Sequence, residues 1–380
     1  MKERWKMFLK NAWVFTPEFT FEQLHVQVQG DRIVDVRQDA PQEEGVDLTG
    51  CFLIPGLMDI HTHGCVGWDA SDGDLEGLQA MSKFYAQHGV TSFLATSMSQ
   101  SVETLEKVFA QIRAFREQEP QGARCLGIHM EGPFFSKEKC GAQDPSVLLA
   151  PDVQVYRHLQ EISGNCIRQV DLAPELPGAM EFIQALKGEV PLSLAHTNAD
   201  YDTAIQAMDL GVGHVTHLFN GMTGISHRAP GVAGAAMDRD VTAELICDGI
   251  HIHPAVIRMV FRAKGPDRVN IISDSMSAAG MPDGTYHLGG QKVNVKDGRA
   301  TLDSGTLAGS TANLLSCMQN VIAFGVPAEH AVQAATYNPA REIGALDELG
   351  TIETGKYADL VVLDDQWNLK QVYLRGKAIL

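Results

Sequence analysis

The residues with the most chemistry in them sit at the ends of short apolar runs. In "GLMDIHTHG" (56–64) two histidines stand two positions apart. Side chains alternate faces along an extended strand, so His61 and His63 point the same way while Thr62 points back. Two imidazoles on one face can share one ion. Other runs end alike: "CLGIHMEG" (125–132) in Glu131, "PLSLAHTN" (191–198) in His196, "GHVTHLFN" (213–220) in His217 and "RVNIISDS" (268–275) in Asp274. Each alone reads as an ordinary polar strand end; at equivalent positions they read as one site. Four histidines and a glutamate suit a borderline first-row divalent ion, zinc first, with iron, manganese or cobalt as the other choices. They are more ligands than one tetrahedral ion needs. Either one ion takes a subset of His61, His63, Glu131, His196 and His217, or two ions share Glu131. No cysteine is placed to join them (Cys65 reads as packing), and structural zinc sites usually close with thiolates, so the set points to an open catalytic centre. Asp274 beside a metal-bound water has the chemistry of a proton carrier between water and leaving group. Its alternatives are a sixth ligand or a helix N-cap. The chemistry is hydrolysis, of a bond that these residues alone do not specify.

Such a set needs elements that bring distant positions together. Strand-like runs recur at 56–63, 89–97, 125–132, 167–175, 191–198, 213–220, 241–249 and 268–275. Helix-like stretches lie between them, as at 74–88, 101–117, 178–187 and 200–210. Strand and helix alternating eight times is the rhythm of a (β/α)8 TIM-like barrel, with a doubly wound open sheet as the rival. The polar strand ends favour the barrel, because there the C-terminal ends of the strands converge on one face. The flanks differ. Alternating runs such as "HVQVQG" and "RIVDVRQ" before residue 56, and the β-rich tail from 350, are each too short for a core alone. They predict one small β-sandwich domain from residues 1–55 plus 351–380, beside a catalytic barrel over 56–350. "MPDGTYHLGGQKVNVKDGRATLDSG" (281–305) reads as a hairpin inserted after the eighth strand.

Composition bounds the partners. The chain of 380 residues carries a net charge of −17, which argues against general nucleic-acid binding and against an anionic membrane surface. Any anionic substrate must then be held by a local basic cluster against the unfavourable overall field. Seven cysteines without C-x-x-C spacing indicate neither a disulfide framework nor a zinc knuckle. Lys10 and Asn11 break the first apolar run, no cleavage site follows, and no run is long enough to span a membrane. A cytoplasmic protein is the expectation.

The order of these pieces, with the tail "GTIETGKYADLVVL", resembles the amidohydrolase superfamily. Within it, "HMEGPF" (129–134), "AHTNA" (195–199), "THLFNGM" (216–222), "DGIHIHP" (248–254) and "SDSMSAAG" (273–280) together are similar to the N-acetylglucosamine-6-phosphate deacetylase family, over essentially the whole length. The resemblance implies that Glu131, His196 and His217 hold the principal ion and that Asp274 is the acid/base. His61 and His63 match members that keep the strand-one pair and hold a second ion, so one or two ions per subunit are open. The implied substrate is an N-acetyl hexosamine 6-phosphate, cleaved to the amine and acetate. The resemblance also places His251 on the sugar or acetyl group and the Asn220–Gly221 backbone and Arg228 on the phosphate. Arg228 would act in its own chain or across the interface of a homodimer. Where many relatives carry a histidine after strand three, this chain has Gln143, which can still hydrogen-bond a sugar hydroxyl. The rivals are another hydrolase or a deaminase on the same scaffold, and a binding protein that has lost the chemistry. The intact ligand set argues against the last.

Overall fold

The computed structural model describes residues 5–39 and 41–379, so the outermost ends of the expected 1–55 and 351–380 segments lie outside the described residues. Eight strands form one parallel sheet: β1 (Leu57–Thr62), β2 (Val90–Ser97), β3 (Arg124–Met130), β4 (Ile167–Leu172), β5 (Leu192–Leu194), β6 (His214–Val215), β7 (Thr242–Ile246) and β8 (Val269–Ile272). Each pairs with the next in order. Every residue of β2, β7 and β8 is buried, as strands covered on both faces must be.

The seam between β8 and β1 closes beyond the strands themselves. The Asp274 N–H donates to the His61 carbonyl at 2.9 Å, and the His63 and Gly64 N–H groups donate to the Ser275 carbonyl at 2.8 and 2.9 Å. The sheet is therefore a nearly closed barrel, joined at the end where β1 and β8 deliver His61, His63 and Asp274. Helices follow the strands and bury one face on them. Leu75–Gln87 is N-capped by Asp74, Val102–Arg116 by Ser101 and Tyr201–Leu210 by Asp200, each side chain accepting from a backbone N–H of the first turn.

Both chain termini build a second, eight-stranded sheet. Phe52–Pro55 from the N-terminal part pairs antiparallel with Leu360–Leu363 from the C-terminal part, and Lys6–Phe15, Phe21–Gln29 and Arg32–Arg37 extend the sheet beyond Phe52–Pro55. Its own core includes Leu9, Val26, Ile33, Leu53, Leu360 and Val362. A single residue, Gly56, separates that sheet from β1. A Cβ there would stand 2.0 Å from the Thr91 hydroxyl, so the chain passes between the two sheets only as glycine. The insertion after β8 is a three-stranded antiparallel sheet, Gly284–Leu288, Gln291–Lys296 and Arg299–Thr301, one strand more than a hairpin. Leu288, Val293 and Ala300 pack on Met98, Ala142 and Met276, the turns that leave β2, β3 and β8. The insertion thereby covers one side of the barrel mouth.

Candidate metal centre at the barrel mouth

At three strand ends the chain turns abruptly. His196 after β5, His217 after β6 and Asp274 after β8 have φ of 43°, 32° and 47°. That left-handed region costs a non-glycine residue of order 1–3 kcal/mol and persists only where the surroundings hold it. Here they do. The carbonyl of His196 accepts from Ser136 N–H (3.0 Å), that of His217 from Asn220 N–H (2.9 Å) and that of Asp274 from Ser310 N–H (2.7 Å). The turn re-aims each side chain from the strand into a cavity of ≈ 280 Å³.

The structure brings most of the expected residues to that cavity. His63, Glu131, His196, His217 and Asp274 line it, as do Gln143, Asn220, Gly221 and His251. His61 lies just behind the floor with no exposure at all. Gly221 has φ 59°, and a Cβ on it would stand 2.8 Å from His196 Nδ1, so the loop can press on that imidazole only as glycine. Arg228 is not brought in. It lies on an exposed loop and donates to its neighbour His227 at 2.7 Å. Among the described residues, no lysine or arginine lines the cavity.

Two ligand groups share the floor. The Glu131 Oε1 lies 3.1 Å from both His196 Nε2 and His217 Nε2, which are themselves 3.1 Å apart. His63 Nε2 stands 3.3 Å and His61 Nε2 3.6 Å from Asp274 Oδ1, with Glu131 at 3.4 and 3.7 Å. In each group the donor atoms fall within 4.8 Å of one another, close enough to hold one ion.

The outer ends of the imidazoles test whether a cation fits. His196 Nδ1 faces the Lys139 carbonyl (3.0 Å), His63 Nδ1 the Thr96 carbonyl (3.3 Å) and His61 Nδ1 the Glu244 carboxylate (3.0 Å). Those oxygens only accept, so each Nδ1 carries the proton. In the neutral ring Nε2 is then a bare lone pair, and all three lone pairs point at Glu131 or Asp274 oxygens. Lone pairs facing carboxylates inside a protein need positive charge between them. His61 Nε2 is buried without a hydrogen-bond partner among the described residues. An imidazole whose far nitrogen is fixed by an acceptor is the usual arrangement behind a metal. The residues fit a divalent ion.

The electrostatics agree. Burial pushes the Glu131 carboxyl up, but the His196 and His217 nitrogens at 3.1 Å outweigh it and hold it well below the usual range. Asp274 is likewise raised by burial and lowered further by the His61 and His63 imidazoles. Both are carboxylates at neutral pH. Burial lowers His63 and His217, yet their carboxylate neighbours bring each up to about 9, so without an ion these nitrogens draw in a proton as the positive charge the carboxylates require.

A layer of polar groups beneath the floor was missed by sequence reasoning. Glu244 on β7 is fully buried and accepts from His61 Nδ1, His214 Nε2 and Gln169 Nε2, each at 3.0 Å. His129 on β3 donates from Nδ1 to the Ile60 carbonyl (3.1 Å), and its Nε2 lies 2.9 Å from Asp171. Small barrels ordinarily fill this layer with branched apolar residues. The available signal was an ionisable residue in mid-strand, Glu244 in "TAELI" and Asp171 in "IRQVDL".

The sequence profile of the amidohydrolase family matches residues 52–379, and the chain belongs to that family; it is a hydrolase. It is 36% identical to the N-acetylglucosamine-6-phosphate deacetylase of Lysinibacillus sphaericus, over 98% of this chain and 97% of that one. It is 34% identical to the N-acetylgalactosamine-6-phosphate deacetylase of Escherichia coli O157:H7, over 86% and 87% of the two chains. Among solved structures, a mutant N-acetyl-D-glucosamine-6-phosphate deacetylase of Mycobacterium smegmatis, in complex with N-acetyl-D-glucosamine-6-phosphate, superposes with a TM-score of 0.93 at 32% identity, covering 98% of this chain and 99% of that one.

Proposed function

We propose that the protein hydrolyses N-acetyl-D-glucosamine 6-phosphate to D-glucosamine 6-phosphate and acetate. The observation that carries the reading is the paired constellation at the floor of the cavity, Glu131 with His196 and His217 beside His61 and His63 with Asp274. Its near full-length similarity to deacetylases of that substrate supports the choice of bond. Glu131, His196 and His217 would hold the first divalent ion, zinc before iron, manganese or cobalt. His61 and His63, with Glu131 shared, would hold a second. A divalent ion bound there polarises a carbonyl and lowers the pKa of water.

The remaining work falls to the chain. Asp274, ionised and at the cavity wall, takes a proton from the water that adds to the acetyl carbon. It returns that proton to the sugar nitrogen as the C–N bond breaks, leaving acetate and a free amine. His251 is held with its Nδ1 proton on Asp248 at 2.8 Å, which leaves Nε2 as the nitrogen available to substrate. The Asn220–Gly221 backbone is the other substrate contact of this reading. A phosphate dianion needs a cation that one chain's cavity lining lacks. Arg228, on an exposed loop with the 57% exposed Ile225, is the residue that a second copy would supply, which makes the working form a homodimer. Seven unpaired cysteines suit a reducing, cytoplasmic setting.

The relative acting on the galactosamine epimer gives a second reading, deacetylation of N-acetylgalactosamine 6-phosphate. Acetate release from both N-acetyl hexosamines, each with and without the 6-phosphate, decides between them. Turnover of the phosphorylated glucosamine derivative with the highest kcat/KM supports the first reading. Equal rates on plain and phosphorylated sugars would remove the 6-phosphate assignment and leave a hydrolase of another amide.

A further inference from the structure

The amide of Gln143 is already engaged at both ends. Its Oε1 accepts the backbone N–H of Ser99 at 2.7 Å, and its Nε2 donates to Glu131 Oε2 at 2.7 Å. A backbone N–H can only donate, so the amide oxygen must face Ser99 and the NH2 must face Glu131; the orientation of the amide is not open. The side chain is buried, and the other neighbour of its nitrogen is the Met98 sulfur at 3.8 Å. Ser99 is itself fixed in place. The loops leaving β2 and β3 are pressed together there, such that a Cβ on Gly132 would stand 2.0 Å from the Ser99 hydroxyl.

From this geometry we infer that Gln143 is a positioning residue for Glu131, transmitting the fixed position of the loop after β2 to the carboxylate at the centre of the ion site. The two Glu131 oxygens are divided: Oε2 rests on Gln143, and Oε1 is thereby presented to His196 and His217. A glutamate's terminal torsion is soft and broad, so a carboxylate held at neither oxygen would rotate. With Oε2 anchored, the position of Oε1 is set before any ion arrives. Loss of such an outer partner typically weakens metal affinity or activity by about 10–100-fold. The inference rests on the reading of Glu131, His196 and His217 as an ion site, and it moves Gln143 from sugar contact to support of that site.

The test is zinc binding measured by competition with a chelator, in the absence of substrate, on wild type, Gln143→Met and Gln143→Asn. Methionine keeps the length and bulk and removes both hydrogen bonds; asparagine keeps the amide but is too short to reach Ser99 and Glu131 together. Both variants should bind zinc about 10–100-fold more weakly. At saturating zinc, KM for the phosphorylated sugar should stay within about twofold while kcat remains lower, because a misplaced carboxylate acts on the reaction and not on sugar binding. Unchanged zinc affinity with a raised KM would make Gln143 a sugar contact and overturn the inference. A wild type that binds no zinc would overturn it together with the ion site. A wild type that binds zinc but releases no acetate from either phosphorylated sugar would refute the substrate reading alone, and weakened binding in the variants would still support the role of Gln143.

Discussion

Replacing Asp274 by asparagine should remove the proton carrier and little else. The backbone of residue 274 is held by its N–H on the His61 carbonyl and its carbonyl on Ser310 N–H, neither of which involves the side chain. Its φ of 47° is one that asparagine tolerates better than most residues. Fold and ion site should therefore survive. What is lost is a group able to take and return a proton, and general acid–base catalysis contributes about 10²–10⁴-fold. The structure favours the upper part of that range. Of the side chains lining the cavity, Glu131 and Asp274 are the carboxylates, and Glu131 is tied by Gln143, His196 and His217, so it cannot substitute. A loss of about 10³–10⁴-fold corresponds to about 4–5.5 kcal/mol of transition-state stabilisation.

The assay is acetate release at saturating substrate and zinc, with ion content by elemental analysis and thermal unfolding on the same samples. An interaction made only in the transition state lowers kcat and kcat/KM equally, so KM should hold. A variant that keeps more than a tenth of the wild-type kcat would refute the proton-carrying role. One that arrives without its ion would make Asp274 a ligand.

The ion site itself is tested by His196→Ala, which leaves Glu131 and His217 as a two-ligand remnant and should abolish both zinc retention and turnover. His61→Ala should be milder if one ion suffices and as severe if two are essential. Full activity of metal-free wild type by elemental analysis would dispose of the site altogether. Arg228→Ala should lower kcat/KM for the 6-phosphorylated sugar by about 2–5 kcal/mol, the cost of leaving a charged partner without its counter-ion, and affect the plain sugar far less. Arg228→Lys should recover part of the loss, since it restores charge without the bidentate fork. Equal losses on both sugars would assign Arg228 to the fold or the subunit interface.

The barrel was legible because each strand announces itself twice, by an apolar run and by the polar residue that ends it. The run 89–97 became β2 at Val90–Ser97, and 241–249 contains β7 at Thr242–Ile246. The boundaries that drifted most are those of β5 and β6, three and two residues long. Their runs, 191–198 and 213–220, include the turn that carries His196 and His217 out of the strand. Left-handed backbone at a histidine has no local signature in sequence. At His196 it is held by the bond from Ser136, sixty residues away, which exists only once the barrel is assembled; at His217 it is held by the short turn that ends on Asn220 N–H. The third strand of the insertion and the Glu244 layer were hidden for a related reason: a lone glutamate among apolar neighbours carries no label saying which strand it will meet.

That hidden layer explains why the site depends on the whole barrel and not on any one segment. His61 and His63 come from β1, but their outer nitrogens are held by Glu244 on β7 and by the Thr96 carbonyl on β2. His196 leaves β5 and is held by the Lys139 carbonyl in the loop after β3. Glu131 leaves β3 and is held, through Gln143, by the backbone after β2. Every proposed ligand with a hydrogen-bonded outer end is thus oriented by an element other than its own. His217 differs, with Nδ1 buried and unpartnered among the described residues, and its ring instead meets that of His196 edge-on at 4.8 Å. No pair of neighbouring strands contains both a complete ligand group and its anchors. Ring closure between β8 and β1 is therefore a condition for the proposed chemistry, because the bonds that complete the barrel, Asp274 N–H to His61 and His63 N–H to Ser275, also set the Asp274 carboxylate beside its two imidazoles.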